Sequence, residues 1–193
     1  MFTTDLFGIP LRFETAATLF SPNKVDAGTR AMLSRAAFLP DDKVLDLGCG
    51  YGVAGIYAAK RIGAARVTMS DIDALAVRLA KVNAGLNDVP GVRVLQSDAL
   101  EGIGDAGYTL ILCNPPYHED FRTAKRFIEK GFNRLALGGR MVLVVKRRAW
   151  YENKLAAIFG GAAVEAIGGY FVMTAEKRQE SYAKAERTRR HSY

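Results

Sequence analysis

Short apolar runs alternate along the chain with stretches in which apolar positions recur every three or four residues. Such alternation of strand and helix periods predicts a mostly parallel sheet covered on both faces. Val44-Leu45-Asp46-Leu47 reads as the first strand of this series, Gly48-Cys49-Gly50-Tyr51-Gly52 as a turn, and Val53 to Arg61 as a helix. Arg66 to Ser70 is a second strand. Asp73 to Leu86 is a helix with Leu75, Leu79, Val82 and Leu86 on one stripe. Val92 to Leu95 and Tyr108 to Cys113 are the third and fourth strands. A helix from about Asp120 to Ala136 buries Phe121, Ala124, Ile128, Phe132 and Leu135, and Gly138-Gly139 is expected to end it. Arg140 to Lys146 is the fifth strand, and Trp150 to Phe159 a short helix. Ala163 to Ile167 and Tyr170 to Ala175 follow as strands, and their Gly168-Gly169 link predicts an antiparallel hairpin. The expected fold class is α/β, with a seven-stranded, mostly parallel sheet and an antiparallel C-terminal hairpin.

The first forty residues differ in character. Leu11 to Leu19 looks extended and Asp26 to Phe38 helical, so residues 1–40 are expected as a short N-terminal extension of strand plus helix. Residues 41–177 form the main domain, and 178–193 a basic tail. A chain of 193 residues with 49% hydrophobic and 24% charged residues supports one domain with a full core. No apolar run approaches the ~18 residues that cross a bilayer. The start, Met1-Phe2-Thr3-Thr4-Asp5, lacks the basic and apolar segments of a secretory signal. A cytoplasmic location is expected, with Cys49 and Cys113 as reduced packing residues. Net charge is +7, of which the segment from Lys177 to Tyr193 carries a net +4. That balance favours a polyanionic partner, nucleic acid above all.

The chemistry concentrates in two places. Asp46-Leu47-Gly48-Cys49-Gly50-Tyr51-Gly52 leaves a strand and opens a helix, where glycines let the backbone approach a ligand and the helix start offers N–H groups. Asp71 ends the second strand, where a carboxylate can accept from ribose hydroxyls. Asp73, two residues on, suits the N-cap of the next helix. Asp98 follows the third strand and can accept from an adenine amino group, with Ile72 and Ala99 as apolar walls. No Lys completes a phosphate loop, which disfavours a nucleoside triphosphatase. A nicotinamide dehydrogenase leaves the second place unexplained.

That second place is Asn114-Pro115-Pro116-Tyr117, directly after the fourth strand. The Asn114 side-chain oxygen and the Pro115 carbonyl offer two acceptors on a stiff turn, and Tyr117 offers a flat ring. Such a corner fits chemistry on a planar amine. The two places together, over about Lys43 to Ala175, resemble the class I S-adenosylmethionine-dependent methyltransferases. The resemblance implies a Rossmann-like methyltransferase fold in a single domain. It implies S-adenosyl-L-methionine as cofactor and S-adenosyl-L-homocysteine as product. By it, Asp46, Gly48, Cys49 and Gly50 cradle the methionine part, Asp71 holds the ribose, Asp98, Ile72 and Ala99 surround the adenine, and Asn114 borders the donor.

The Asn-Pro-Pro-aromatic element resembles the subgroup that methylates amino nitrogens conjugated to a flat system. It implies Asn114, Pro115 and Tyr117 as the catalytic corner. Thr18-Leu19-Phe20-Ser21 with Val25-Asp26-Ala27-Gly28-Thr29 further resembles the small-domain rRNA guanine-N2 methyltransferases. Tyr117 stands where that family carries Phe, which keeps adenine N6 and a release-factor glutamine amide open as acceptors. The chain shows no counterpart of the extra N-terminal domain of the longer rRNA enzymes. The implied partner is RNA, as rRNA or a ribosomal assembly intermediate. Phe20, Thr29, Pro116, Tyr117 and His118 are expected at the target base, and Arg122, Arg126 and Arg147 at flanking phosphates, with Lys125 and Lys146 beside them. His118 is assigned to a phosphate or base edge rather than to a general base, because the amine gains acidity only after alkylation. A non-catalytic RNA-binding module is the reading from another class.

Overall fold

The computed structural model describes residues 1–116 and 121–182. Strands β1 (Phe2–Leu6) and β2 (Ile9–Phe13) form an antiparallel hairpin, followed by helix α1 (Ala27–Arg35). Then come β3 (Val44–Leu47), α2 (Val53–Ile62), β4 (Val67–Asp71), α3 (Ala74–Leu86), β5 (Arg93–Gln96) and β6 (Tyr108–Cys113). The described chain finishes with α4 (Arg122–Arg134), β7 (Leu135–Val145), α5 (Arg148–Phe159), β8 (Ala163–Ile167) and β9 (Tyr170–Glu176). Strands β3 to β9 make one seven-stranded sheet in the order β5-β4-β3-β6-β7-β9-β8. The first five in that order run parallel, and β9 is antiparallel to both neighbours. No described helix is long and apolar enough to cross a membrane.

The strand alternation decides which core each residue joins. Val44, Leu110 and Leu112 face a layer built by the β1–β2 hairpin, α1, α2 and α3. Leu45, Leu47, Ile111 and Cys113 face the other layer, built by α4 and α5. Central strands buried on both faces therefore read as unbroken apolar runs. The chain winds from β3 outward to β5, then returns to β6 on the other side of β3. That reversal opens a crevice at the carboxyl ends of β3 and β6, where open α/β sheets hold ligands.

Three sequence expectations are corrected. Gly138-Gly139 does not end the helix, because α4 stops at Arg134 and the glycines lie inside β7. Gly138 takes φ +77°, and a Cβ on Gly139 would sit 2.9 Å from the Tyr108 and Ala136 carbonyl oxygens. The pair accommodates a register shift against β6. On α3 the buried face comprises Ala76, Val77, Leu79, Ala80, Asn83 and Ala84, while Val82 is exposed. Asn83 and Asn87 are buried because their side chains grip the backbone of the hairpin. Asn83 accepts from Glu14 N–H and donates to Glu14 C=O, and Asn87 does the same with Arg12. Finally, the extended segment expected over Leu11 to Leu19 is a strand only to Phe13, and its partner β1 lies in residues to which the sequence reading assigns no element. The Gly168-Gly169 link does form a hairpin turn, with both φ angles positive.

Candidate active site

The glycine loop is tied to the neighbouring strand before any ligand arrives. Gly48 N–H and Cys49 N–H both donate to the Ser70 carbonyl at 2.9 Å, and Gly50 N–H donates to Asp71 Oδ2 at 2.8 Å. Gly48, Gly50 and Gly52 take positive φ, which a side chain would resist. Asp46 sits underneath, 3% exposed, and accepts from Gly55 N–H at 2.7 Å. Burial pushes its carboxyl up to about 7; the Gly55 N–H opposes that rise, and the negative charge of Asp71 adds to it. Gly55 must be glycine, since a Cβ there would lie 2.4 Å from Met69 Cγ.

Asp73 caps α3 by accepting from Leu75 N–H at 2.8 Å, as expected for the second acid of that strand end. Asp71 accepts from Asp73 N–H with its other oxygen, at 3.0 Å. Asp98 heads a turn in which Ala99 takes φ +52°. Both Asp98 oxygens accept from the Arg126 guanidinium at 2.9 Å, and Arg126 also reaches Glu101 at 2.8 Å. Arg126, expected at a phosphate, is thus held by two carboxylates of its own chain. Its planar fork matches a carboxylate in two places and is engaged inside the protein.

Asn114 follows β6 at the same sheet edge. Its Nδ2 donates to Asp26 Oδ2 at 3.0 Å and to Thr29 Oγ1 at 2.9 Å. Asp26 also caps α1, accepting from Thr29 N–H at 2.9 Å. The segment before α1 is pinned from below, where the Tyr51 hydroxyl donates to the Ser21 carbonyl at 3.0 Å.

These pieces enclose a cavity of about 440 Å³. Of the residues expected from sequence, Phe20, Thr29, Asp46, Gly48, Cys49, Gly50, Asp71, Ile72, Asp98, Ala99, Asn114, Pro115 and Pro116 all line it. Arg122, Arg126 and Arg147 do not. Tyr117 and His118 lie outside the described residues, as does the tail from 183 onward. Sequence reading missed Asp26, whose signal (a cap residue in Val25-Asp26-Ala27-Gly28-Thr29) was visible without its distant partner. It also missed Ser70, whose buried hydroxyl has no hydrogen-bond partner among the described residues.

The charge of the lining is one-sided. Asp26, Asp46, Asp71, Asp73 and Asp98 contribute five carboxylates, and among the described lining residues there is no Lys, Arg or His. Such a wall repels phosphates and favours a ligand carrying positive charge.

The family model for the methyltransferase small domain matches residues 10–175. The ribosomal RNA small subunit methyltransferase C of Haemophilus ducreyi is 37% identical over 153 residues, covering 75% of this chain and 45% of that protein. The ribosomal RNA large subunit methyltransferase G of Aeromonas hydrophila is 32% identical over 175 residues, covering 87% and 46%. Among solved structures, the T. thermophilus 16S rRNA N2 G1207 methyltransferase (RsmC), in complex with AdoMet and guanosine, superposes with a TM-score of 0.84 at 28% identity. That match covers 92% of this chain and 50% of the other. The chain thus spans about half the length of the relatives it matches.

Proposed function

The chain belongs to the methyltransferase small domain family, and from that premise we propose that it transfers a methyl group from S-adenosylmethionine to guanine N2 of ribosomal RNA in the cytoplasm. The observation that carries the reading is a cavity wall of five carboxylates with no Lys, Arg or His among its described lining residues. A dinucleotide or triphosphate would bring negative charge against it. S-adenosylmethionine brings a sulfonium and an ammonium. The Asp46 carboxyl, with one N–H donor among the described residues and a raised pKa, gains from a nearby cation, and the Ser70 hydroxyl, without a partner among those residues, offers one further contact. Asp71 and Asp98 keep lone pairs beyond those engaged by the protein, enough to accept from ribose hydroxyls and an adenine amino group. Ile72, largely exposed, and Ala99 supply the apolar walls.

Bound there, the donor supplies an electrophilic methyl on sulfur. The protein's task is the acceptor. The lone pair of an exocyclic amine is delocalised into its ring, so the nitrogen is a weak nucleophile. Accepting its two N–H hydrogens at Asn114 Oδ1 and the Pro115 carbonyl favours a pyramidal nitrogen whose lone pair points at the methyl. The N–C bond then forms as the S–C bond breaks, and the extra proton leaves to solvent. Alignment of this kind removes roughly 7–11 kcal/mol of barrier. Tyr117 is assigned the stacking face, and Pro116 and Phe20 the edges of the base. A guanine in folded RNA must leave its pair to reach this corner. Arg122, Lys125, Lys146 and Arg147, on the same sheet edge, are assigned to flanking phosphates. The experiment is nucleoside mass spectrometry of unmodified rRNA incubated with protein and donor. N2-methylguanosine is expected. Methyl groups on adenine N6 or on protein would reassign the acceptor, and none on any amine would refute the reading.

A further inference from the structure

We infer that Asp26 and Thr29 are positioning residues that lock the Asn114 amide in the one orientation that presents its oxygen to the acceptor. The inference rests on the N-methyl transfer proposed above and concerns how that site is set before substrate arrives. A carboxamide is nearly symmetric in shape, and a half-turn about its last bond exchanges acceptor for donor. With the wrong end forward, Asn114 would meet an amine N–H with its own N–H. An ionised carboxylate only accepts, so the Asp26 carboxylate admits Nδ2 and repels Oδ1.

The geometry meets that requirement. Asn114 Nδ2 reaches Asp26 Oδ2 at 3.0 Å and Thr29 Oγ1 at 2.9 Å, across 88 and 85 residues of sequence. The anchor is itself rigid. The same Asp26 oxygen accepts from Thr29 N–H at 2.9 Å and starts α1, whose Ala31, Met32 and Leu33 are buried. Asp26, Thr29 and Asn114 all line the cavity. The helix cap and the reacting corner therefore share one carboxylate, and a segment remote in sequence sets the polarity of the catalytic amide.

The test pairs a measure of geometry with a measure of rate. Asp26→Ser keeps a capping oxygen for α1 but is too short to hold Asn114, and Thr29→Val removes only the hydroxyl. Asp26→Asn keeps an acceptor for both contacts. In 15N-labelled protein the Asn114 side-chain protons, assigned by their loss in Asn114→Ala, should exchange at least about tenfold more slowly than those of exposed Asn133 and Asn153. The Asp26→Ser/Thr29→Val double variant should abolish that protection. In RNA methylation the double variant should lose about 10²-fold in kcat, the scale of one misplaced transition-state dipole. Both rates are read at saturating donor, and Asp26→Asn should recover most of the loss. A purely structural role would lower melting temperature and kcat together. Fast exchange in the wild type, or an unchanged kcat in the double variant, overturns the inference. A protected amide in a protein that methylates no amine supports the anchoring and refutes the functional reading instead.

Discussion

Two aspartates four residues apart bracket the start of the central strand β3, and both are 3% exposed, yet they live in opposite circumstances. Asp42 is saturated. Its oxygens accept from Thr109 Oγ1 at 2.7 Å, from Leu39 N–H at 2.7 Å, and from Arg140 Nη2 at 3.0 and 2.8 Å. Asp46, toward the cavity end, has the single Gly55 N–H among the described residues. Equal burial thus separates a finished structural acid from one left short of partners. A buried carboxylate without compensation is unfavourable to folding. Its presence beside a cavity marks where the missing positive charge is to come from.

The largest expected effect breaks the saturated member. Asp42→Ala strands Arg140 among groups it was paired with and should lower stability by about 3 kcal/mol. Urea denaturation checks this, and donor affinity measured on the folded fraction should change by less than about threefold. The complementary change, Asp46→Asn, should weaken donor binding by about 10²-fold in calorimetry, since a charge-assisted partner of the cation is lost. Its melting temperature at pH 8 should hold or rise, because a strained buried charge is removed. If both variants lose stability alike and bind alike, the contrast between the two acids is wrong.

Acidity sharpens the contrast further. The Asp46 carboxyl is raised to about 7 by burial first, against about 3.9 in an unfolded chain. Between those values the folded protein holds a proton that the unfolded chain has released. The resulting stability is full below about pH 4, fades as pH rises toward 7, and is constant above. Melting temperature without donor should follow that slope, and Asp46→Asn should flatten it. A cationic donor selects the ionised form, so its affinity should rise by at most about tenfold per unit up to pH 7 and then level. The smallest effect is expected at Asp98, which is held by Arg126 in a half-exposed pair. Arg126→Ala should raise the donor KM about threefold, with kcat unchanged, because exposed pairs contribute little and the turn retains its backbone bonds.

The central sheet was legible because its strands are buried on both faces. Val44–Leu47 and Tyr108–Cys113 were read end to end. Strand β1 was not, because Thr3-Thr4-Asp5 is polar and its turn is Phe7-Gly8, in which a non-glycine residue takes φ +55°. The stripe on α3 was rotated because a buried position, Asn83, and the buried C-cap, Asn87, are asparagines, which any hydrophobic count scores as surface. The cavity residues were read from local motifs that pair a strand end with a turn. Asp26 escaped because a cap looks the same in sequence whether or not a distant amide comes to share it. The pairing of Arg126 with Asp98 was not legible, because a cation on a helix start looks the same in sequence whichever anion faces it.

The grip of Asn83 and Asn87 on the hairpin has a consequence for how the molecule behaves in a crowd. One side of β2 is bonded to β1, and the other would present Arg12 and Glu14 peptide groups as an open margin. Two carboxamides occupy those groups, donor for acceptor, so no neighbouring molecule finds a template there. Leucine at both positions would preserve bulk while stripping that cover, leaving an adhesive margin in its place.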